Sequence, residues 1–348
     1  MSTTNASRKR TPRQGATIED VAALAGVSIM SVSRAMRGVE GVSAATRARI
    51  LHAADTLRYS PSSVAGALAT ANSSLVGVSV PTLQDSVFSD IFSAMRSTFE
   101  RNKMQTVFDT TEYDNEREEA FVERMLAWRG AGIVLAGGHH TPRTRRLLRR
   151  ANISVLEIWS WSTDPIELCV GIDHEESGYA MGRRLVEMGY RRPSYIGPQP
   201  GFDRRAEQRC RGFTRAFEEQ GLSLVRQEWV TGKHSFAGGR IGMANMLDKH
   251  GPAFDLVYFL NDHMAFGGLE ECRARRIDVP GQLGLAAFNG LQINDVLHQP
   301  ITTSSSPRAE IGEQGARMLI GAIKGVAQPQ SVKLEPVIMM GETTKPQW

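Results

Sequence analysis

The sequence predicts two kinds of structure in one chain: a small α-helical N-terminal domain, then an α/β core of two lobes, each built on a doubly wound parallel sheet. Residues 17–36 have the apolar periodicity of two short helices about a turn. From Ser74 onward, short apolar runs alternate with amphipathic helical patterns, which is typical of parallel sheets covered by helices. The 348 residues allow two or three domains.

The N-terminal pattern, TIEDVAALAGVSIMSVSRAM (17–36), predicts a helix-turn-helix. Thr17 is a good N-cap with Asp20 three residues later. Gly26 ends the first helix and Ser28 caps the second. The inward faces are predicted to be Ile18, Val21, Ala22, Leu24 and Ala25 in the first helix, and Val32, Ala35 and Met36 in the second. This leaves Ile29, Met30, Ser33 and Arg34 on the outer face, where a helix-turn-helix presents side chains to the major groove of DNA.

The charge distribution separates this interpretation from a helical hairpin with a merely solvated face. Residues 1–60 contain nine Lys or Arg and four Asp or Glu, a net charge of +5, whereas the whole chain has a net charge of +4. The excess positive charge therefore lies in the segment with the motif, as phosphate binding requires.

Composition excludes several other classes of protein. No apolar run approaches the ~20 residues of a membrane span. Residues 1–15 are polar and basic, which predicts a disordered basic arm rather than a signal peptide. The three cysteines, Cys169, Cys210 and Cys272, form no CxxC pair, which suits a reducing cytosol. We therefore expect a cytoplasmic protein without a membrane partner.

A third helix is predicted from its cap, Ser43, with an inward stripe of Ile50, Leu51, Ala54 and Leu57, and it completes a DNA-binding domain over residues 16–60. Residues 61–71 are either a linker or a hinge helix that forms only against a partner, because Gly66 disfavours an isolated short helix. In the second case, Leu68 is the apolar residue that could wedge into a minor groove.

The core is predicted to span 72–348. Lobe 1 covers about 74–172 plus 304–335, and lobe 2 covers about 173–303 plus 336–348, with one last strand over 332–341. The chain crosses between the lobes several times, which makes a hinge. The natural ligand site is the cleft between the lobes, outside the carboxyl ends of the strands.

No catalytic, metal or cofactor site stands out. His139 and His140 have no acidic or Cys partner at metal-ligand spacing, so we interpret them as loop histidines. The neighbouring Asp262 and His263 are weak evidence for an acid/base pair. The chain lacks GxGxxG, Walker, GxSxG and HExxH motifs. We expect a protein that is not an enzyme and has no cofactor.

Taken in order, these segments resemble the LacI/GalR family of bacterial transcription regulators. The resemblance rests on TIEDVAALAGVSIMSVSRAM, VSAATRARILHAADTLRYSPSSVAGALA, NDHMAFG and PRAEIG. It implies a helix-turn-helix headpiece, a hinge helix and a two-lobed core like a periplasmic sugar-binding protein. It also implies a homodimer that binds a pseudo-palindromic operator, with a small effector in the cleft that alters this affinity. We expect a dimer rather than a tetramer.

The resemblance assigns roles to residues of the DNA-binding domain. Base-reading positions fall on Ile29, Met30 and Arg34, of which Arg34 can contact guanine and the other two favour apolar contacts such as thymine methyls. Positions that contact phosphate or support the helix fall on Thr17, Ser28, Ser33, Ser43 and Thr46. Leu68 matches the leucine that kinks the operator centre, although Gly66 disfavours the hinge helix.

In the core, the positions near the family's effector residues are Phe88, Trp159, Arg209, His234, Asn261, Asp262, Asn289 and Arg308. Asn289 stands where many relatives carry an aspartate, and Arg308 stands where sugar-specific members often have an aromatic residue. An amide and a cation in these places favour an acidic ligand over a neutral sugar. The alternative is that Arg308 and Asn289 serve the fold or the hinge.

The stretches VFSDIF, ERMLAWRGAGIVLAGGHHTPRTRRLL and VLEIW resemble the gluconate-operon repressors of this family, which implies gluconate or 2-ketogluconate as effector. The main interpretation is a repressor regulated by a sugar acid. The alternatives are a regulator of the same family that responds to a neutral sugar or nucleoside, or one that uses a corepressor or activates genes. A remote alternative is a sugar-binding protein without a regulatory role.

Overall fold

The computed structural model describes residues 16–36, 38–59, 73–83, 86–231, 235–251, 253–326 and 330–346. The chain divides into two compact units, residues 1–73 and 74–348. Within the described ranges, no helix has both the length and the apolarity needed to cross a membrane. The predicted basic arm (1–15) and the hinge segment (61–71) lie outside the described residues.

Over its described residues, the first unit has three helices: α1 (Ile18–Ala25), α2 (Ile29–Met36) and α3 (Ala44–Thr56). Thr17 forms the expected capping box with Asp20, since each residue's backbone N–H donates to the other's side chain, at 2.8 and 3.3 Å. Gly26 ends α1 with φ of 64°, a left-handed conformation that an L side chain adopts only at a cost. Local sequence therefore determines where α1 begins and ends.

The core of this unit is small and built from short side chains. Val21, Val32 and Ile50, one from each helix, are fully buried together with several alanines. The predicted burial of two residues is wrong, because Leu24 is 54% exposed and Leu51 is 48% exposed. Helical periodicity placed both leucines on inward apolar faces, but three short helices enclose too little volume to cover them.

The second unit contains two six-stranded sheets, which define lobe 1 and lobe 2. The strands are β1 (Leu75–Val80), β2 (Gln105–Thr110), β3 (Gly132–Ala136), β4 (Ser154–Ser160), β5 (Leu168–Ile172), β6 (Pro193–Pro198), β7 (Arg226–Val230), β8 (Leu256–Phe259), β9 (Gly284–Asn289), β10 (Thr302–Ser305), β11 (Gln330–Leu334) and β12 (Val337–Met339). The lobe 1 sheet has the order β11-β5-β4-β3-β1-β2 and is parallel throughout. The lobe 2 sheet has the order β12-β10-β9-β8-β6-β7, and only its edge strand β12 is antiparallel.

Helices cover both sheets, which explains why the central strands read as continuous apolar runs rather than alternating ones. The helices of lobe 1 are α4 (Ser86–Arg101), α5 (Asn115–Ala127), α6 (Pro142–Arg150) and α11 (Arg308–Ile323). Those of lobe 2 are α7 (His174–Glu187), α8 (Arg204–Glu218), α9 (Phe236–His250) and α10 (Asp262–Ala274), with a 3₁₀ turn at Gln292–Val296. The predicted fold class, a helix-turn-helix with a two-lobed α/β core, is confirmed.

The described strands place three crossings between the lobes: after β5, after β10 and between β11 and β12. The second crossing falls slightly later than the boundary expected at 303/304, because Ser304 and Ser305 still pair with β9. The prediction of a single last strand over 332–341 is wrong, because the chain forms two strands there. Two strands in different sheets flank Pro336, which has no N–H to donate to a sheet.

Candidate functional site

The outer face of α2 carries the side chains that were expected to read DNA. Ser28 caps the helix, since its hydroxyl accepts from the Ser31 N–H at 3.2 Å. Ile29 is 48% exposed and Met30 is 61% exposed, whereas Val32 and Ala35 pack inward. Arg34 is exposed and Ser33 is half-buried. Two large apolar side chains with no place in the core are thus presented beside a guanidinium.

The other polar residues expected at the DNA surface stabilise helix starts. Ser43 accepts from the Thr46 N–H at 3.2 Å and caps α3, as Thr17 caps α1. Capped N-termini present backbone N–H groups and the positive end of the helix dipole, which suit phosphate oxygens. Leu68 lies outside the described residues.

A cavity of about 430 Å³ lies between lobe 1 and lobe 2. Most of its lining follows the carboxyl ends of strands, as the topology requires. Five of the eight predicted effector residues line it: Phe88, Trp159, Arg209, Asn261 and Asn289. His234 lies outside the described residues. The lining residues that the sequence analysis did not predict are Thr82, Val87, Glu112, Tyr113, Phe202, Asp203, Arg205, Ser235, Phe236, Leu260 and His263.

Arg209 is a buried cation whose hydrogen bonds go to neutral groups. Its Nη1 lies 2.9 Å from His174 Nδ1, and its Nη2 lies 3.4 Å from the Leu260 carbonyl. Burial, followed by the charge of Arg209, holds the pKa of His174 well below its usual value, so Nδ1 is a neutral acceptor. The Arg209 guanidinium also lies over the Phe288 ring at 4.3 Å. Its Nε has no hydrogen-bond partner among the described residues.

Arg205, one helical turn before Arg209 on α8, is the second guanidinium of the cavity. It lies 5.6 Å from the centroids of both Phe88 and Tyr113, which belong to lobe 1. Its Nε bonds to Asp203 at 3.2 Å. Burial raises the pKa of Asp203, but Arg205 and Arg209 outweigh it and lower that pKa to about 2, so the carboxylate is ionised. The i, i+4 spacing of two arginines was the signal that could have identified Arg205.

Aromatic rings form the apolar wall of the cavity. Trp159 contacts Phe88 edge-to-face at 6.0 Å, and it also packs against His174 at 5.4 Å. Trp159 has φ of 76° and Asn289 has φ of 121°. Non-glycine residues persist in such conformations only where the surroundings hold them, and they cluster at ligand sites. Both strained residues lie at strand ends that line this cavity.

Further contacts join the two lobes beside the cavity. The rings of Tyr113 in lobe 1 and Phe202 in lobe 2 lie 5.1 Å apart. His139 Nδ1 of lobe 1 lies 3.4 Å from Arg204 Nη1 of lobe 2. Because each pair spans the cleft, these contacts depend on the angle between the lobes.

Two predicted effector residues do not line the cavity. Asp262 is fully buried, and its carboxylate accepts from Thr303 Oγ1 at 2.6 Å and from the Leu291 N–H at 2.7 Å. It therefore ties the start of α10 to β10 and the loop after β9. This arrangement supports a role in the fold of lobe 2.

Arg308 lies at the second crossing between the lobes. Its guanidinium donates to Asp90 of lobe 1 at 2.9 Å, to the Gly290 carbonyl of lobe 2 at 3.0 Å, and to the Asn289 carbonyl. These partners occupy all three nitrogens. We therefore assign Arg308 to the hinge instead of the ligand cavity, which was the alternative interpretation of this residue.

His140 lies in the loop after β3, as expected, and its side chain is buried between two carboxylates. Its Nδ1 lies 2.6 Å from Glu118 and its Nε2 lies 3.1 Å from Glu157. Burial lowers the pKa of His140, yet the two glutamates outweigh burial and raise it to about 9. Among the described residues, no group of three or more His, Cys, Asp or Glu is arranged to hold a metal ion. His140 is thus part of a structural charge network in lobe 1.

Comparison with known proteins matches both units. Residues 17–62 match the family model described as bacterial regulatory proteins, lacI family, and residues 183–344 match a periplasmic binding protein-like domain. The transcriptional regulator IdnR of Escherichia coli is 32% identical over 310 residues, 88% of this chain and 92% of that protein. The regulator GntR of Pseudomonas aeruginosa is 30% identical, covering 89% of this chain and 90% of that protein.

Solved structures of other regulators also match this chain. A LacI family regulator from Silicibacter pomeroyi aligns with a TM-score of 0.88 and 36% identity, over 95% of this chain and 100% of that one. The Lac repressor dimer bound to operator and the anti-inducer ONPF aligns with a TM-score of 0.80 over 95% of this chain and 99% of that one. At 22% identity, this second likeness concerns the fold alone.

Proposed function

Because the chain belongs to the LacI family of DNA-binding bacterial transcription regulators, we propose that it is a cytoplasmic repressor controlled by a sugar acid of the gluconate or ketogluconate type. The sugar acid binds in the cavity between the lobes and changes the affinity for an operator. Two of the relatives that it resembles, IdnR and GntR, are transcriptional regulators.

The observation that carries the sugar-acid proposal is the environment of Arg209. A buried cation is unfavourable unless a charged or well-placed hydrogen-bonding partner compensates it. Here the hydrogen-bond partners of Arg209 are neutral, and its Nε is unpaired among the described residues. Of the described lining residues, Asp203 supplies a buried carboxylate, and this group already bonds Arg205. A ligand carboxylate supplies the missing acceptor through a charge-assisted hydrogen bond.

The rest of the lining suits a polyol chain. Asn261 and Asn289 offer amide groups, and Thr82 and Ser235 offer hydroxyls. The faces of Phe88 and Trp159 pack against the C–H groups of a sugar, while polar groups fix its orientation. In this assignment Arg205 and Arg209 together replace Arg308 as the residues that select an acidic ligand.

The proposed mechanism links the cavity to DNA through lobe closure. A ligand on Arg205 and Arg209 of lobe 2 also contacts Phe88 and Trp159 of lobe 1, so it stabilises the closed arrangement. The effector can weaken operator binding only by its preference for one arrangement over the other. We propose that Ile29, Met30 and Arg34 read bases and that Leu68 kinks the operator centre. The residues that contact phosphate or support the helix are Thr17, Ser28, Ser33, Ser43 and Thr46.

A homodimer on a pseudo-palindromic operator completes the proposal. Lobe 2 exposes large apolar side chains on two elements that flank α10: Ile241 of α9 is 58% exposed, and Val296 of the 3₁₀ turn is 80% exposed. A second copy of the chain would cover them, and two headpieces would then meet two half-sites.

Calorimetry tests the effector. We expect one of gluconate and 2-ketogluconate to bind with micromolar affinity, and glucose and ribose to bind far more weakly. Replacing a charge-assisted hydrogen bond costs about 1.5–3 kcal/mol, or roughly 10- to 100-fold in affinity. Arg209→Met should lose this much, whereas Arg211→Met, exposed on the same helix, should bind like the wild type.

The same ligand should then weaken operator binding in a DNA-binding assay. Tight binding of glucose or ribose that is indifferent to Arg209→Met would refute the sugar-acid assignment and favour the neutral-sugar alternative. Tighter operator binding in the presence of ligand would instead identify a corepressor.

A further inference from the structure

Lobe 2 has a second cavity, the outer pocket, which shares no lining residue with the cavity between the lobes. Its volume is about 610 Å³. It lies between α8, which contributes Ala206, Cys210 and Thr214, and the strands β6 and β7, which contribute Tyr195 and Trp229. Adjacent residues of α8 thus face different cavities, since Arg209 lines the first and Cys210 lines the outer pocket.

Tyr195 lines the outer pocket and carries a buried hydrogen-bond donor. The residue is 1% exposed, and its hydroxyl has no hydrogen-bond partner among the described residues. A Cβ on Gly197 would approach the Tyr195 hydroxyl oxygen to 2.4 Å, so the glycine makes room for the ring to lie along β6. Burial raises the pKa of Tyr195, which keeps the phenol neutral and able to donate. A buried unpaired hydroxyl is unfavourable and calls for an acceptor.

Aromatic and apolar groups surround this donor. The Trp229 ring packs edge-to-face against Tyr195 at 6.0 Å, yet the residue remains 37% exposed. Burial raises the pKa of the Cys210 thiol to about 11, so it is uncharged at neutral pH. The interior therefore offers apolar walls around the buried Tyr195 phenol, with the Thr214 hydroxyl and the Gln227 amide as further polar groups of the lining. Apolar walls with a few polar groups are a common design of small-molecule sites.

The rim of the outer pocket disfavours anions. It carries Glu175, Glu207 and Glu218 against Arg211 and Arg215. Glu175 accepts from Arg211 at 3.0 Å and from Arg215 at 3.2 Å, so both guanidiniums are already paired. The remaining charge is negative, in contrast to the cavity with Arg205 and Arg209.

We propose that the outer pocket is a second ligand site, specific for an uncharged planar heteroaromatic molecule that packs beside Trp229 and accepts a hydrogen bond from Tyr195. Size, apolar walls, a buried donor and a negative rim together define this ligand class. Because this assignment uses no residue of the cavity between the lobes, it is independent of the proposed effector.

The test uses the full chain labelled with 5-fluorotryptophan and observed by ¹⁹F NMR. Quinoline is the probe, because it is planar, uncharged at pH 7.5 and has an acceptor nitrogen. The Trp229 resonance is identified by its loss in Trp229→Phe, and Trp128 of lobe 1 is the internal control. Indole, of similar size but without an acceptor nitrogen, and quinoline-4-carboxylate, an anion, are the comparison ligands.

We expect quinoline to shift the Trp229 resonance saturably and to leave Trp128 unchanged. Tyr195→Phe should raise the half-saturating concentration about 5- to 10-fold, the effect of one hydrogen bond. Thr214→Phe, which fills the pocket, should abolish the shift. In the wild type, indole should bind about as weakly as quinoline binds to Tyr195→Phe, and quinoline-4-carboxylate should bind at least 10-fold more weakly than quinoline.

Absence of a saturable Trp229 shift would overturn the proposal. Equal half-saturation by quinoline and indole in the wild type would also overturn it, and this comparison needs no folded variant. Circular dichroism spectra of the variants verify that any loss of binding is not a loss of fold.

Discussion

Arg308 provides a direct test of whether the arginine at the lobe crossing stabilises the hinge or binds the ligand. Its side chain is 11% exposed, and it joins Asp90 of lobe 1 to the carbonyls of Asn289 and Gly290 in lobe 2. Substitution by Met keeps the aliphatic length and removes every one of these hydrogen bonds. The two carbonyls then lose a charged donor at a site that offers water little access.

The size of the effect follows from these contacts. Each hydrogen bond from a charged donor to a buried carbonyl contributes about 1.5 kcal/mol, and the pair with the half-exposed Asp90 contributes at most about 1 kcal/mol. We therefore expect Arg308→Met to lower the free energy of unfolding by about 3–4 kcal/mol. Arg308→Lys, which retains one charged donor group with a different geometry, should lose about half as much.

Urea unfolding followed by circular dichroism measures the loss of stability. The matched control is Arg317→Met on the same helix, where a 62% exposed side chain forms one i, i+4 pair with Glu313. That control should change stability by less than about 0.5 kcal/mol. The folded Arg308→Met protein should also bind its sugar acid within about threefold of the wild type. A loss of stability no larger than in Arg317→Met, or a tenfold loss of ligand affinity at unchanged stability, would refute the hinge assignment.

Three further predictions concern other parts of the chain. Arg34→Ala should weaken binding to a selected operator by about 1–3 kcal/mol, as measured by fluorescence anisotropy. Arg58→Ala, which removes the same charge just after the end of α3, should weaken this binding clearly less. His140→Gln should lose up to roughly 3 kcal/mol of folding stability below pH 6.5, where the imidazolium contributes in full. This difference from the wild type should vanish as the pH rises through about 9. Thermal unfolding at pH 6 and pH 9.5 measures the difference, and a pH-independent difference would contradict the prediction. Gly26→Ala should destabilise the headpiece by about 1–2 kcal/mol, because φ is 64° at this residue. The added Cβ would meet no other atom within 4 Å, so the backbone conformation alone causes the loss. In the same thermal scan, Gly26→Asn should lose less stability.

Local patterns in the sequence predicted the helix-turn-helix accurately. Thr17, Gly26 and Ser28 act on backbone groups within a few residues of themselves, so the sequence alone indicates where α1 ends and α2 begins. The predicted burial of the leucines at positions 24 and 51 was wrong, because it depends on how three helices meet, which helical periodicity does not describe.

The cavity was predicted in part, and the errors have a common origin. Phe88, Trp159, Arg209, Asn261 and Asn289 line it because a family resemblance transfers positions in the fold. Arg308 and Asp262 lie at corresponding positions, but their side chains find partners elsewhere. A resemblance places the backbone, whereas the direction of a side chain depends on its own neighbours.

The sequence by itself determined the order of helices and strands, the headpiece with its excess positive charge, and the presence of a two-lobed core. These properties follow from periodicity, capping and composition, whose effects are local or additive along the chain. Tertiary structure alone decided which partners the charged side chains meet: Arg308 meets Asp90, His140 lies between two glutamates, and Arg205 lies over the rings of Phe88 and Tyr113. The partners in these contacts are between 17 and 218 residues apart in the sequence. Only the packing of the sheets and lobes brings their side chains into the short range over which hydrogen bonds and buried charges act.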